Sequence, residues 1–104
     1  MVTFVNKLTV HGDIDRFLEI KERLTAYMSD QPGHLSNQTL RHLADPRVFL
    51  EYAVWENADS HGRAVRSAEF QALVKELGPL ASAEPGLYET VGLNETVRET
   101  AGAR

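Results

Sequence analysis

The chain has 104 residues, a net charge of −4, a hydrophobic content of 42% and no cysteine, which together predict a single soluble domain over residues 1–104. The acidic balance disfavours a nucleic-acid or anionic-membrane partner, because there is no surplus of positive charge to bind phosphates. The lack of cysteine excludes disulfides and thiolate nucleophiles, and with no signal peptide and no apolar stretch of about 20 residues it predicts a cytoplasmic protein.

The first half of the sequence predicts a strand, a helix and a second strand. Apolar residues alternate over residues 2–10, as they do in a strand with one buried face. Asp13 is a candidate N-cap for the helix that follows, in which apolar residues recur three or four positions apart. Pro32 and Gly33 end that helix, and residues 34–43 are compatible with a strand.

The second half predicts a strand, a divided helix and a last strand. Residues 47–56 are rich in β-branched and aromatic side chains and make the strongest strand. Asn57 or Asp59 can cap the next helix, which a bend near Ser67 divides. Residues 86–93 are predicted to form the last strand, so the core covers about residues 2–93 and leaves a polar tail over 94–104.

The order of these elements, βαββαβ, is that of the ferredoxin-like α+β fold, in which two helices cover one face of a four-stranded antiparallel sheet. On the third strand, Phe49 and Ala53 alternate with Leu50 and Tyr52, so both faces are apolar. Because the helices cover only one face, we expect a second copy of the sheet to cover the other. The sequence therefore predicts a homodimer built sheet against sheet, known as a dimeric α/β barrel.

Asn6 is an unexpected amide on the predicted first strand. It shares a face with Phe4 and Leu8, where an aliphatic residue is the default. It is either a structural amide that hydrogen-bonds a neighbouring loop or one of the few polar groups in an apolar ligand pocket.

Glu51 and Trp55 share one face of the predicted third strand. A carboxylate on an apolar strand face is costly unless it is paired or exposed. Glu51 is therefore near a sheet edge, paired with an arginine such as Arg41, or a pocket group that can act as a base. Trp55 is the only tryptophan, and taken alone it indicates core packing more strongly than function.

The four histidines form no metal-binding motif, and no metal is predicted. His34 and His42 share a strand face but lie roughly 26 Å apart in an extended strand, which excludes a shared metal. His61 comes early in the second helix and is either a packed residue or a proton carrier, because its unperturbed pKa is near neutrality. No glycine-rich phosphate loop occurs, so neither a nucleotide nor a flavin is implied.

Four segments together resemble the antibiotic biosynthesis monooxygenase family over residues 3–91. They are FVNKLTVHGD, QPGHLSNQTL, YAVWENADSHGRAVRSAEFQALV and AEPGLYE. The most specific elements are the asparagine of the first strand, the Pro-Gly that opens the second, and the tryptophan of the third strand followed by AVRSAEF.

The resemblance implies a dimeric ferredoxin-like protein that oxidises aromatic polyketides to quinones with O₂ and no cofactor. In such a reaction the substrate loses a proton and the resulting anion reacts with O₂ directly. Asn6 and Trp55 match the family pattern for binding the substrate and its anion, and Glu51 or His61 is the base. Glu51 departs from the pattern, since quinone-forming members commonly carry a second asparagine there.

The predicted function is therefore a cofactor-independent monooxygenase acting on a polycyclic aromatic intermediate. The alternative is a non-oxidative ligand-binding or cyclase-like protein of the same fold. Haem is disfavoured, because Val74 stands where haem-degrading relatives carry the histidine that ligates iron. The predicted catalytic residues are Asn6, Glu51, Trp55 and His61, and the predicted substrate-binding residues are Phe4, Leu8, Phe49, Ala53 and Phe70.

Overall fold

The computed structural model describes residues 1–96 as a four-stranded sheet with three helices. The strands are β1 (Val2–Val10), β2 (His34–Arg41), β3 (Val48–Trp55) and β4 (Ala81–Tyr88), and the helices are α1 (Ile14–Ser29), α2 (Ala58–Val65) and α3 (Ala68–Leu77). The sheet order is β2-β3-β1-β4 with antiparallel neighbours, which confirms the predicted ferredoxin-like fold. Residues 97–104 of the predicted polar tail lie outside the described residues.

Short polar side chains begin each helix at positions that the sequence predicts. Asp13 caps α1 by accepting hydrogen bonds from two backbone N–H groups of the first turn. Asn57, rather than Asp59, caps α2. The predicted bend is a second helix start, because the Ser67 hydroxyl accepts a hydrogen bond from the backbone N–H of Phe70 at 3.2 Å.

The core lies between the helices and one face of the sheet. In the register of β1 and β3, Leu8 pairs with Phe49 and Asn6 pairs with Glu51, so all four side chains share the face that the helices cover. Residues from each helix pack against this face. The largest fully buried side chains are Trp55, Phe17, Ile20 and Val10.

The other face of the sheet is largely open. Leu50, Tyr52 and Val54 of β3 point away from the helices, and Tyr52 keeps 43% of its surface exposed. Leu40 on the neighbouring strand is 43% exposed as well. Both faces of β3 are therefore apolar, as predicted, while the covering of the open face by a second copy stays a prediction.

The last strand differs from the prediction. It spans Ala81–Tyr88 instead of residues 86–93, and it pairs with β1 along almost its whole length. The alanines, serine and proline in its first half have low strand propensity, so pairing with β1 decides the conformation. Pro85 is tolerated because β4 is at the edge of the sheet in the described chain.

The turn into β2 depends on a glycine. Gly33 has a φ of +92°, and a Cβ atom there would lie 2.4 Å from the side chain of Ser60 in α2. Only glycine fits this approach of the turn to the helix. Over residues 1–96, no helix combines the length and the hydropathy that crossing a membrane requires.

Candidate functional site

A cavity opens between the helices and the sheet beside the Asn6–Glu51 pair. Its empty volume is about 730 Å³ when the space open to solvent is included. Side chains of β1, α1 and α3 make its walls mostly apolar. These apolar residues are Phe4, Leu8, Leu24, Met28, Phe70 and Val74.

All but two of the predicted site residues line this cavity. Phe49 lies in the core instead, with its ring centroid 5.3 Å from that of Phe17. Ala53 is 6% exposed and packs in the cluster that contains Ala64 of α2. Strand alternation placed both residues on the correct face, but the helices cover these positions directly and leave no room for a ligand.

Asn6 is oriented by one hydrogen bond to the edge strand. Its Oδ1 accepts from the backbone N–H of Glu84 at 3.1 Å. Because a backbone N–H can only donate, this contact fixes which end of the amide is oxygen and leaves Nδ2 as a free donor. Among residues 1–96 no buried polar side-chain atom lacks a partner, so this unbonded Nδ2 is accessible from the cavity. The arrangement combines both alternatives for Asn6, a structural bond and a polar pocket group.

Glu51 forms an ion pair, but with Lys21 of α1 and not with Arg41. Lys21 Nζ lies 2.6 Å from Glu51 Oε1, and the two side chains are only 10% and 13% exposed. Thr39 Oγ1 donates to the same oxygen at 2.8 Å. The strand register explains the change of partner, because Thr39 is opposite Glu51 while Arg41 is opposite Phe49 and lies over its ring.

Lys21 is a functional candidate that the sequence analysis missed. It lies on the buried side of α1 with Phe17 and Leu24, and its Nζ donates to Thr25 as well as to Glu51. The signal available in the sequence was a lysine at a core spacing of a helix, together with an unexplained strand carboxylate. The ammonium of Lys21 offsets the charge of Glu51 and so reduces its repulsion of a substrate anion nearby.

Trp55 is contacted by two imidazole rings. The His61 ring lies 5.5 Å from the Trp55 ring at 79°, and the His34 ring lies 5.2 Å away at 87°. His61 also packs on Phe4, at 4.8 Å. Trp55 is only 1% exposed, so it is both a core residue and part of the cavity wall. His34 was not predicted as a site residue, because nothing in its local sequence distinguishes it from an ordinary strand residue.

Burial lowers the pKa of His61 below the usual 6.5. The imidazole is therefore unprotonated near neutral pH and can accept a proton. In the described part of the chain, no group of three or more histidine, aspartate or glutamate side chains is arranged to hold a metal ion.

The chain is similar to known proteins over most of its length. The model of the family described as antibiotic biosynthesis monooxygenase matches residues 1–76. Deoxynogalonate monooxygenase of Streptomyces nogalater is 33% identical over 87 residues, which are 84% of this chain and 74% of that protein.

Solved structures agree with this similarity. The crystal structure of SnoaB, a cofactor-independent oxygenase from Streptomyces nogalater, superimposes with a TM-score of 0.83 at 32% identity, over 94% of this chain and 97% of that one. A conserved protein from Methanosarcina mazei Go1 shares the fold alone, with a TM-score of 0.76 at 17% identity over 84% and 89% of the two chains. The resemblance seen in the sequence motifs is thus confirmed, and the chain belongs to the antibiotic biosynthesis monooxygenase family.

Proposed function

We propose that the protein is a cofactor-independent monooxygenase that oxidises a flat, polycyclic aromatic intermediate of polyketide type to a quinone with O₂. The observation that carries this proposal is an apolar cavity that holds an unprotonated His61 and an unbonded Asn6 Nδ2. The 33% identity to deoxynogalonate monooxygenase supports an aromatic polyketide as the substrate class.

His61 is the proposed base. It lines the cavity, and its ring nitrogens make no hydrogen bond within residues 1–96. Glu51 is less suited to this role, because Lys21 and Thr39 already occupy its Oε1. We therefore assign the removal of the substrate proton to His61 and give Glu51 a binding role.

Asn6 and Trp55 are the proposed donors to the substrate anion. When the base removes a proton next to an aromatic carbonyl, negative charge develops on the carbonyl oxygen. Asn6 Nδ2 is positioned by the Glu84 contact to donate to that oxygen. Trp55 lines the same cavity and offers a flat wall there, and its indole N–H is the proposed second donor.

The oxidation needs no electrons from the protein. The substrate CH₂ group loses a proton to His61, and the carbanion adds O₂ to give a peroxide. Protonation of the peroxide, loss of the second C–H proton and cleavage of the O–O bond give a C=O group and water. The balance is CH₂ + O₂ → C=O + H₂O, so one oxygen atom enters the product and the substrate supplies all the electrons.

Oxygen uptake with an anthrone tests the proposal. The purified protein, treated with a metal chelator and freed of flavin, should consume one O₂ for each quinone formed. Anthrone that quenches Trp55 fluorescence without O₂ uptake above the uncatalysed rate would instead indicate the non-oxidative binding protein. Anthrone oxidation that stops when the chelator is added would contradict cofactor independence.

We also propose that two copies pair through the open face of the sheet, in the predicted homodimer. The open face carries Val5, Leu50 and Val54, an apolar surface that water would otherwise contact. Pairing the two open faces would leave each cavity on the outer side of its own sheet, under the helices. The cytoplasmic compartment stays a prediction.

A further inference from the structure

We infer that Glu51 makes the cavity selective for aromatic ketones that carry a free hydroxyl group on the same ring system as the carbonyl bound by Asn6, close to that carbonyl but not hydrogen-bonded to it. This inference rests on the proposed function for the nature of the ligand, a flat aromatic ketone. It adds a requirement that the proposed function does not contain, namely a hydroxyl donor on the substrate.

The two oxygens of Glu51 have different surroundings. Oε1 accepts from Lys21 Nζ at 2.6 Å and from Thr39 Oγ1 at 2.8 Å, which occupies both of its in-plane lone pairs. Oε2 makes no hydrogen bond within residues 1–96. Because no buried polar side-chain atom there lacks a partner, Oε2 is accessible to solvent in the cavity that Glu51 lines.

The contacts with Lys21 also determine what Oε2 can do. Lys21 Nζ uses its three donors on Thr25, Thr39 and Glu51, so no ammonium hydrogen is left for a ligand. A carboxylate paired in this way is an acceptor only. The Lys21–Glu51 pair therefore offers a ligand one fixed acceptor with no net charge.

Asn6 places a donor next to this acceptor. Asn6 and Glu51 are directly opposite in the register of β1 and β3, which brings their Cβ atoms within about 5 Å of each other. The backbone N–H of Glu84 occupies the Oδ1 atom of Asn6, so Nδ2 is the group that remains for a ligand. A ligand that satisfies both residues presents an acceptor beside a donor, as an aromatic ketone with a nearby hydroxyl does.

An ether or a second carbonyl at the hydroxyl position does not fit. Its lone pair would lie against Oε2 and displace the water bound there. Oε2 would then lose the hydrogen bond from that water and gain none from the ligand. An amide at position 51 could rotate to donate or accept and would not discriminate in this way. With a carboxylate at position 51, the ligand group that contacts this position has to be a hydrogen-bond donor.

Binding of two matched probes tests the inference without any turnover. The probes are an anthraquinone with one free hydroxyl on an outer ring, not adjacent to a carbonyl, and its methyl ether, both titrated into the whole protein below the pKa of the phenol. Quenching of Trp55, the only tryptophan, reports binding. We expect the hydroxyl probe to bind roughly 10- to 100-fold more tightly than the ether, the factor for one hydrogen bond to a charged acceptor.

Two variants and a control test whether the preference for the hydroxyl probe depends on Glu51 and its partners. Lys21→Met combined with Glu51→Leu removes both charges together, so the fold is expected to persist, and the preference should fall to about one. Thr39→Val removes one contact that orients Oε1 and should reduce the preference while the ether binds as before. Val74→Ala, which changes an apolar wall residue, should alter the affinity for both probes by the same factor.

Equal affinity of the unmodified protein for the two probes would overturn the inference. So would failure of the hydroxyl probe to bind, or a preference that the double variant retains in full. None of these outcomes depends on O₂ uptake. A protein that prefers the hydroxyl probe but consumes no O₂ with an anthrone would support the inference and contradict the oxygenase proposal.

Discussion

The ammonium of Lys21 and the carboxylate of Glu51 form a 2.6 Å ion pair that joins α1 to the central strand β3 at the cavity. Both side chains are almost removed from solvent. Such a pair adds little net stability over apolar residues of the same volume, yet loss of one partner leaves a buried charge. The pair therefore constrains which single substitutions this site tolerates.

Lys21→Met should lower the free energy of unfolding by about 3 kcal/mol, because it leaves the Glu51 carboxylate without its counterion. Adding Glu51→Leu to the same chain should restore most of that loss. Urea denaturation of both proteins measures the difference. Arg16→Met, which removes only exposed ion pairs, is the control and should leave the midpoint almost unchanged. A double variant as unstable as the single one would contradict this account.

Asn6→Ala should reduce kcat about 10²- to 10³-fold, because it removes the proposed donor to the substrate oxyanion. It also removes the acceptor for the Glu84 N–H and should cost about 1 kcal/mol of stability. Asn6→Asp keeps an oxygen for Glu84 but replaces the donor with a second carboxylate beside Glu51, so its turnover should fall at least as far as that of Asn6→Ala. Turnover and thermal unfolding are measured on the same samples. Full turnover of Asn6→Asp would show that the Nδ2 donor has no catalytic role.

The activity should fall at acidic pH as the His61 imidazole becomes protonated. Burial lowers the pKa of His61 from 6.5, so its neutral form predominates above that pH and is lost as the pH falls through the lower pKa of the folded protein. The value of kcat/KM should follow this neutral form. His61→Gln should lower the rate about 10²- to 10⁴-fold and remove the acid limb.

His34→Gln is the matched control for that profile, because His34 contacts the same indole. It should keep the acid limb of the activity. The stability of the unmodified protein should have the same sign of pH dependence: the contribution of neutral His61 is present above 6.5 and is lost as the pH falls. If the acid limb persists in His61→Gln, a residue other than His61 is the base.

The protein should be a dimer of about 23 kDa, twice the 11.6 kDa of the chain. Val54→Lys should shift it toward monomer, because the substitution would bury an unpaired charge on the open sheet face when two copies pair there. Ala72→Lys places the same charge on an exposed helix position and should leave the dimer intact. Light scattering at micromolar concentration measures both. A stable monomer of the unmodified chain would contradict sheet-to-sheet pairing.

The sequence by itself determined the order of the elements and the face to which most site residues belong. Alternation in β1 and β3 is a local property with a period of two, so it predicted that Asn6 shares a face with Phe4 and that Glu51 shares a face with Trp55. The strand register then placed Asn6 and Glu51 on the same side of the sheet. The cap at Asp13 is local as well, since a cap bonds to the first turn of its own helix, and the break near Ser67 has the same local origin. The family resemblance rests on these same segments.

Only the tertiary structure decided the partners of the polar residues and the extent of the cavity. Lys21 and Glu51 are 30 positions apart, and their pairing depends on how α1 lies across the sheet. The same packing buried Phe49 and Ala53 beneath the helices and left Asn6 and His61 at the cavity. The start of β4 likewise followed from pairing with β1, because the weak strand propensity of its own residues gives no local signal.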